Sequence, residues 1–122
     1  YVVKREGVYH YLPQGHKLEK TLEGDLRFSL SRAALGQRAV REAPADIVIT
    51  AVYQRTQRKY RERGIRYVHL EAGHAAQNIH LQVVALGLGS VPIGAFNDSE
   101  VQRVLRLPQN HEPIYIIPVG HL

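Results

Sequence analysis

The chain has 122 residues, no cysteine and a formal net charge of +5 at pH 7, and 44% of its residues are hydrophobic. This length and composition are typical of one folded domain, 1–122, and exclude a disordered or fibrous protein. The lack of cysteine excludes disulfides, thiolate metal sites and cysteine nucleophiles, and it favours a reducing compartment, so we expect a cytoplasmic protein.

The start of the chain has the pattern of a β-strand, YVVK, and the sequence contains no methionine. We therefore expect these residues to be the later part of a longer protein whose N-terminal segment is missing here. The stretch from Tyr67 to Asn97, whose only formal charge is Glu71, contains Gln82, Gly87, Gly89 and Pro92. These residues make it a poor membrane span, so we expect it to be buried core and no membrane to be a partner.

The first half of the chain predicts strands and one helix. YVVK, GVYHYLP and HKLEKTL are β-like runs typical of a meander. Leucine and alanine then recur at helical spacing between Glu23 and Leu35, and Gly36 is a stop signal, so we predict a surface helix there. ADIVITAVY, after Pro44, is a continuous β-branched run that predicts a central strand buried on both faces.

The longest predicted element is a helix from about Arg66 to Leu86, in which the only formal charge after Arg66 is Glu71. Its small residues permit a close neighbour, so we predict a long central helix that is covered on most sides and lies near a dimer interface. The pattern has two apolar stripes, Val68, Ala72, Ala75, Ala76, Ile79, Val83 and Leu86 in one and Leu70, Gly73, Leu81 and Val84 in the other, with a polar seam of Glu71, His74, Asn78 and Gln82 between them.

The last third of the chain predicts three further elements. SVPIGAF is a short strand or an extended loop, and Asn97 or Asp98 then caps a helix over SEVQRVLRL that ends at Pro108. PIYIIPVG predicts a buried strand. The order of elements indicates an α+β fold with helices packed on a sheet.

Residue spacing alone assigns no reaction. His69, His74 and His80 lack the spacing of four that places two imidazoles on one metal, so no metal site is expected. No serine has a nucleophile-elbow pattern. GLGSVPIG follows a helix and precedes a strand, the reverse of a dinucleotide-binding turn.

The positive charge is concentrated in residues 54–66, QRTQRKYRERGIR, where six cations accompany Glu62 alone. Three interpretations stay open from the pattern: a solvated surface, a site for a small phosphorylated ligand, or a nucleic-acid surface with tyrosines interleaved.

Several segments together resemble one family. LEAGHAAQNIHLQVVALGLGSVPIGAF, EVQRVLRLP and PIYIIPVG, with GVYHYLPQGHKLEK and KYRERGIRYVHLEAGH before them, are similar to the flavin-dependent nitroreductases, and within them to the azoline-oxidising, SagB-type dehydrogenases. The resemblance implies an α+β nitroreductase-like fold, with a sheet flanked by helices and a long central helix. It also implies a homodimer with FMN at the subunit interface and hydride transfer through the flavin N5.

The resemblance also implies roles for particular residues. The backbone of Pro92, Ile93, Gly94 and Ala95 would lie beside the flavin ring and donate a hydrogen bond to its N5 or O4 edge. Lys59 and Tyr60 match a pair used for proton removal during azoline oxidation, and Lys59 is expected to be partly buried near the flavin.

The expected partners follow from the same resemblance. They are a second copy of the chain, a small-molecule or peptide-heterocycle substrate, and NADH or NADPH as a reductant, with no nucleic acid. The chain departs from the family in lacking a phosphate-binding segment before Tyr1 and basic residues after PVG. The competing interpretation is therefore a cofactor-free binding or structural module that keeps the fold.

Overall fold

The computed structural model describes all residues 1–122 and confirms the α+β expectation with one six-stranded antiparallel sheet and five helices. The strands lie in the order β3-β2-β1-β4-β6-β5. Their bounds are β1 Val2–Lys4, β2 Gly7–Leu12, β3 Lys17–Glu23, β4 Ala45–Ala51, β5 Gly89–Ser90 and β6 Glu112–Gly120, and the helices are α1 Arg27–Ala33, α2 Arg38–Glu42, α3 Tyr53–Tyr60, α4 Arg63–Ala85 and α5 Asp98–Leu105.

Strand β4 lies between β1 and β6, as the apolar run predicted. Val48 is fully buried and pairs with the fully buried Ile116 of β6. The prediction of burial on both faces is wrong within one chain, because Ile47 and Ile49 on the other face are only partly buried. Alternate residues of a strand point to opposite faces, so the two faces of β4 meet different surroundings.

One face of the sheet carries the main hydrophobic core. Helices α1, α2 and α5 cover this face, and α1 packs against both α2 and α5. Burying these side chains is the main favourable term for folding, at about 1.5–3 kcal/mol for each large apolar residue. The cluster comprises Val3, Val8, Leu30, Ala33, Ala34, Val40, Val48, Ile93, Val101, Leu105 and Ile116.

Helix α4 covers the other face, where it contacts β4, β5 and β6. It begins three residues earlier than predicted, because the chain reverses at Arg61 and a helix follows directly. Within one chain it buries Val68, Ala72, Ala76 and Val83 of the first predicted stripe. Two members of that stripe are exceptions, because Ala75 and Leu86 are exposed.

The second predicted stripe of α4 is not covered within one chain. Leu70, Leu81 and Val84 are 53%, 60% and 71% exposed. The helix therefore has one face on the sheet and one apolar face in solvent. None of the five helices combines the length and apolar character that a membrane span requires.

The regions on either side of β4 differ in part from the prediction. The helix expected over 23–35 is the shorter α1, and α2 follows it without having been predicted. The predicted strand 45–53 ends at Ala51, after which α3 begins.

The expected cap of α5 is confirmed, since the Asn97 side chain accepts a hydrogen bond from the Glu100 amide at 3.0 Å.

Strand β3 is the outermost strand at one side of the sheet, and β5 is the outermost at the other. All residues of β3 except Leu22 are exposed, and four of its seven residues are charged. Strand β5 has two residues.

Asp46 is an ionisable residue on the buried face of β4. It is 0% exposed, and neither carboxyl oxygen has a hydrogen-bond partner. Burial raises the pKa of this carboxyl to about 8, with the Arg27 guanidinium opposing the rise and Asp25 adding to it. The Arg27 side chain itself pairs with Asp25 at 2.8 Å and donates to the Ala43 carbonyl. Asp46 is therefore protonated in the folded protein at neutral pH.

We predict that Asp46 makes the folded state less stable as pH rises. Its folded pKa is about 8, while an unfolded aspartate titrates near 3.9. Between these values the folded state holds one proton more than the unfolded state, so the free energy of unfolding falls by on the order of 1.4 kcal/mol per pH unit from this group and then becomes flat above pH 8.

Replacing Asp46 with Asn should remove this slope, as measured by urea unfolding at pH 5 and pH 8. Glu19→Gln, on the exposed strand β3, is the matched control and should keep the wild-type slope. An Asp46→Asn protein with an unchanged slope would contradict the assignment.

Candidate functional site

The segment that joins α4 to α5 is fixed to the sheet at one residue, Ile93. Its amide donates to the Ile116 carbonyl at 2.8 Å, and the Ile116 amide donates back at 3.0 Å. The Ile93 side chain is 5% exposed and belongs to the main core. Of the four predicted ring-contacting residues, Ile93 therefore has neither a free amide nor a free side chain.

The next two residues have the opposite character. Gly94 and Ala95 are exposed, and neither backbone amide has a hydrogen-bond partner within the chain. A methyl group added at Gly94 would meet only the Tyr115 ring edge at 4.0 Å, so the space outside Gly94 is open. Two neighbouring amides in exposed residues thus lack a partner beside an anchored residue.

Gln37 holds this loop from the other side. Its side-chain amide donates to the Ala95 carbonyl at 2.9 Å and to the Ala34 carbonyl at 2.8 Å. At the end of the loop the Asn97 amide donates to the Ala33 carbonyl at 2.9 Å. Sequence reasoning missed Gln37, because nothing in the spacing of Gln37 and Ala95 indicates that they meet.

This loop fits the edge of a flat ring that accepts hydrogen bonds. The amides of the exposed residues Gly94 and Ala95 are unpaired donors, and the missing side chain at Gly94 allows close approach. FMN has such an edge at N5 and O4. Residues 92–95 contain no cationic side chain, so the loop matches the ring and not the phosphate of that cofactor.

Lys59 and Tyr60 lie at the end of α3, which packs against α4. Lys59 Nζ lies 5.3 Å from the centre of the Tyr60 ring, and Tyr60 meets Tyr67 edge to face with ring centres 4.9 Å apart. The expected partial burial of Lys59 is wrong for the single chain, where Lys59 is exposed because α3 ends at the surface. No hydrogen bond or ring contact joins this pair to the loop 92–95 within one chain.

A cleft of about 320 Å³ lies between the end of β4 and the helices α3 and α4. Its walls are mainly apolar, with Glu71 of the polar seam and Arg55 as the charged groups. The lining residues are Ile49, Thr50, Ala51, Val52, Arg55, Thr56, Tyr67, Val68, Glu71, Ala72 and Ala75.

Two histidines of α4 are held by neighbouring side chains. His80 Nδ1 lies 2.6 Å from the Ser90 hydroxyl, which ties α4 to β5 just before the loop, and His80 Nε2 is buried without a partner. His69 Nε2 lies 2.7 Å from the Tyr53 hydroxyl at the start of α3. No group of three or more His, Asp or Glu side chains is arranged to hold a metal ion.

The sequence is similar to proteins of one family. A model described as the nitroreductase family matches residues 1–121. A candidate nitroreductase of Methanocaldococcus jannaschii is 44% identical over 115 residues, which cover 94% of this chain and 57% of that protein. The chain thus spans a little over half the length of this relative.

Three solved structures have the same fold over part of their length. A candidate nitroreductase of Anabaena variabilis is 35% identical with a TM-score of 0.89, covering 94% of this chain and 24% of the other. The E. coli microcin synthetase McbBCD complex with truncated pro-MccB17 contains a chain that is 25% identical with a TM-score of 0.86, covering 99% and 50%. The NADPH:FMN oxidoreductase of Vibrio harveyi, complexed with NAD+, is 27% identical with a TM-score of 0.67, covering 79% and 45%.

Proposed function

This chain belongs to the nitroreductase family, and from that membership we propose that it forms part of an FMN-dependent oxidoreductase. The observation that carries the proposal is the pair of unpaired amides in the exposed residues Gly94 and Ala95, beside the anchored Ile93. The similarity to an NADPH:FMN oxidoreductase supports flavin as the cofactor. We also place the protein in the cytoplasm.

The loop 92–95 would bind the ring rather than perform chemistry itself. When bound, FMN supplies the ring atom N5, which exchanges hydride with the substrate. The Gly94 and Ala95 amides would hold the edge of the ring by hydrogen bonds, and the exposed Pro92 precedes them along the chain. The Ile93 anchor and the Gln37 contact keep both amides in position, so little order has to be gained on binding.

We propose an azoline or another oxidisable heterocycle, in a small molecule or a peptide, as the substrate class. The support is the resemblance to SagB-type dehydrogenases together with the similarity to a chain of the microcin synthetase complex. In this scheme the pair Lys59 and Tyr60 would serve removal of a proton from the substrate, while the flavin would accept the hydride. Lys59 is exposed in the single chain. For this role it would have to be covered by the substrate or by a second subunit.

A second copy of the chain is the proposed cover for α4. Leu70, Gly73, Gln77, Leu81 and Val84 follow one another at spacings of three and four along its exposed face. This spacing is typical of a seam between two helices. An uncovered apolar face of this kind favours association.

The first prediction concerns FMN binding. We expect the protein to bind FMN, and we expect Gly94→Val to weaken binding by about tenfold or more, because a branched side chain fills the space where the ring would approach. Gly94→Ala should have a smaller effect. Fluorescence titration of FMN measures the affinity. Urea unfolding of Gly94→Ala should be unchanged, because the added Cβ meets only Tyr115 at 4.0 Å, and urea unfolding of Gly94→Val checks that its weaker FMN binding is not a loss of folding.

A protein that fails to bind FMN under any condition would support the cofactor-free module instead. Equal FMN affinity of the wild-type and Gly94→Val proteins would place the ring elsewhere.

The second prediction concerns Lys59. Lys59→Ala should lower turnover of an azoline substrate by about a hundredfold or more, the scale of general-base catalysis, without loss of bound FMN. Lys59→Arg should be equally impaired, since it keeps the charge but does not release a proton. Lys17→Ala, on exposed β3, is the control and should keep the wild-type turnover. Near-normal turnover of Lys59→Arg would contradict the role of Lys59 as a base and identify it as a surface cation.

The third prediction concerns the oligomeric state. Sedimentation velocity at micromolar concentration should give a dimer, and the double change Leu81→Lys with Val84→Lys should give a monomer, because two charges would be placed in the apolar seam. Leu18→Lys, at a residue 50% exposed on β3, should stay dimeric. A stable wild-type monomer would exclude the α4 interface.

A further inference from the structure

The end of α3 and the start of α4 form an exposed cationic surface, which we call the basic corner. All six of its cations are exposed, and Glu62 is the only acidic residue among them. Lys59, which is proposed above to serve proton removal, is one of the six. The members are Arg55, Arg58, Lys59, Arg61, Arg63 and Arg66.

None of these six cations forms an ion pair within the chain. Elsewhere six of the ten lysine and arginine side chains pair with a carboxylate within 4.0 Å. Glu62 lies within the corner and pairs with none of its neighbours, and the one side-chain partner of Arg63 is the neutral Tyr67 hydroxyl at 3.3 Å. The corner therefore keeps its positive charge available to an external anion.

The stability of the helices does not explain the charge at the start of α4. Arg58 and Lys59 lie in the last turn of α3, where the helix dipole favours cations. Arg63 and Arg66 lie in the first turn of α4, where the dipole opposes them, and that turn has no acidic residue. These two arginines are also three residues apart on one helix, so their charges repel one another.

An open groove continues from the corner along α4 and combines positive charge with apolar surface. Ile65 is 41% exposed in this groove and lies between the two arginines in sequence. Leu70 is the first residue of the seam proposed for the dimer, whereas Ile65 is outside that seam and stays available in a dimer. The groove has a volume of about 780 Å³ and is lined by Glu62, Arg63, Ile65, Arg66, His69 and Leu70.

An acidic peptide matches both features of this groove. Its carboxylates can accept paired hydrogen bonds from the guanidinium groups, and an apolar side chain of the same peptide can cover Ile65. A lone phosphate group has no apolar part that could do so. A nucleic acid is held by stacking on aromatic rings, whereas the apolar members of the lining, Ile65 and Leu70, are aliphatic.

We propose that the basic corner binds an acidic segment that flanks the reactive heterocycle of a peptide substrate. Because Lys59 is itself one of the six cations, a segment bound there would place the neighbouring heterocycle beside this residue. Binding energy gained away from the reacting bond then helps to orient the heterocycle. The role of the peptide as a substrate rests on the proposed function, whereas the recognition of its acidic segment rests on the corner itself.

The first test measures peptide binding without turnover, in the full chain with and without added FMN. The probe is a fluorescently labelled, glutamate-rich peptide with one central leucine, and fluorescence anisotropy measures its affinity. It should bind at least about tenfold more tightly than the same peptide with glutamine in place of glutamate. This difference should shrink when salt is raised from about 50 mM to 200 mM, because salt screens exposed charges.

Three variants separate charge from folding. Arg58→Gln and Arg66→Gln should each weaken binding of the glutamate peptide by about threefold or more. Urea unfolding should move in opposite directions in these two variants, or in neither, because the dipole of α3 favours Arg58 and that of α4 opposes Arg66. Arg32→Gln removes an exposed, unpaired cation of α1 and should bind the peptide like the wild-type protein.

A fourth variant tests the apolar part of the groove. Ile65→Ser should weaken binding of the peptide with the central leucine, because the leucine would lose its apolar contact. The same variant should leave unchanged the affinity for a peptide with serine in place of that leucine. An equal loss for both peptides would show that Ile65 makes no contact with the leucine and would contradict the assignment of the groove.

The second test measures turnover in the protein loaded with FMN. A peptide azoline flanked by glutamates should have a KM at least about tenfold below that of the same azoline flanked by glutamines, with similar kcat. Arg66→Gln should raise the KM of the first substrate and leave that of the second unchanged. Equal KM values for the two substrates would overturn the role of the corner in substrate recognition while leaving the oxidoreductase function in place.

Three binding results would overturn the proposal. These are equal affinity for the glutamate and glutamine peptides, an equal loss of affinity in Arg32→Gln, and tighter binding of a single-stranded oligonucleotide than of the glutamate peptide. The last result would identify a nucleic-acid surface. If the glutamate peptide is selected but FMN does not bind, the corner stands as a peptide-binding surface and the proposed oxidoreductase function falls.

Discussion

The paired hydrogen bonds between Ile93 and Ile116 are the constraint on which the candidate site depends. Ile116 is fully buried in β6 and opposite Val48 of the central strand, so its position is set by the main core. The two backbone hydrogen bonds to Ile116 fix the position of Ile93, and the Ile93 side chain belongs to the same buried cluster. The chain must then turn its next two residues outward, which leaves the amides of Gly94 and Ala95 unpaired beside a rigid base.

The absence of charge along α4 has two separate causes. On the side toward the sheet, Val68, Ala72 and Ala76 fill space against strands and exclude charged side chains by burial. On the other side, Leu81 and Val84 are in solvent within one chain, so intrachain packing does not require them to be apolar. One face of α4 is therefore apolar because it packs on the sheet. The apolar character of the other face is not explained by packing within one chain.

The sequence predicts elements best where one physical requirement acts alone. Periodicity located α4 and α5, and the β-branched run located β4, since each buries a regular set of side chains. The sequence pattern did not predict α2, because this helix buries only Val40. The pattern also placed the end of β4 two residues too late, because Val52 and Tyr53 are residue types that are common in strands.

The site was predictable only in part. The motif resemblance pointed to residues 92–95, but it did not distinguish the bonded amide of Ile93 from the free ones after it, which depends on pairing with a strand more than twenty residues away. The contact from Gln37 to Ala95 spans 58 residues, and no local pattern encodes it. Long-range contacts of this kind follow from the packed fold and not from spacing.

The two outer strands limit how the molecule can aggregate. An outer strand exposes unpaired backbone groups that a strand of another molecule can extend, and such addition leads to fibrils. Strand β3 has Lys17, Glu19, Lys20 and Glu23 along that side, so adding a copy of itself would desolvate several charges, while β5 is too short to serve as a template. Both margins of the sheet are therefore poor templates for the addition of a further strand from another copy of this chain.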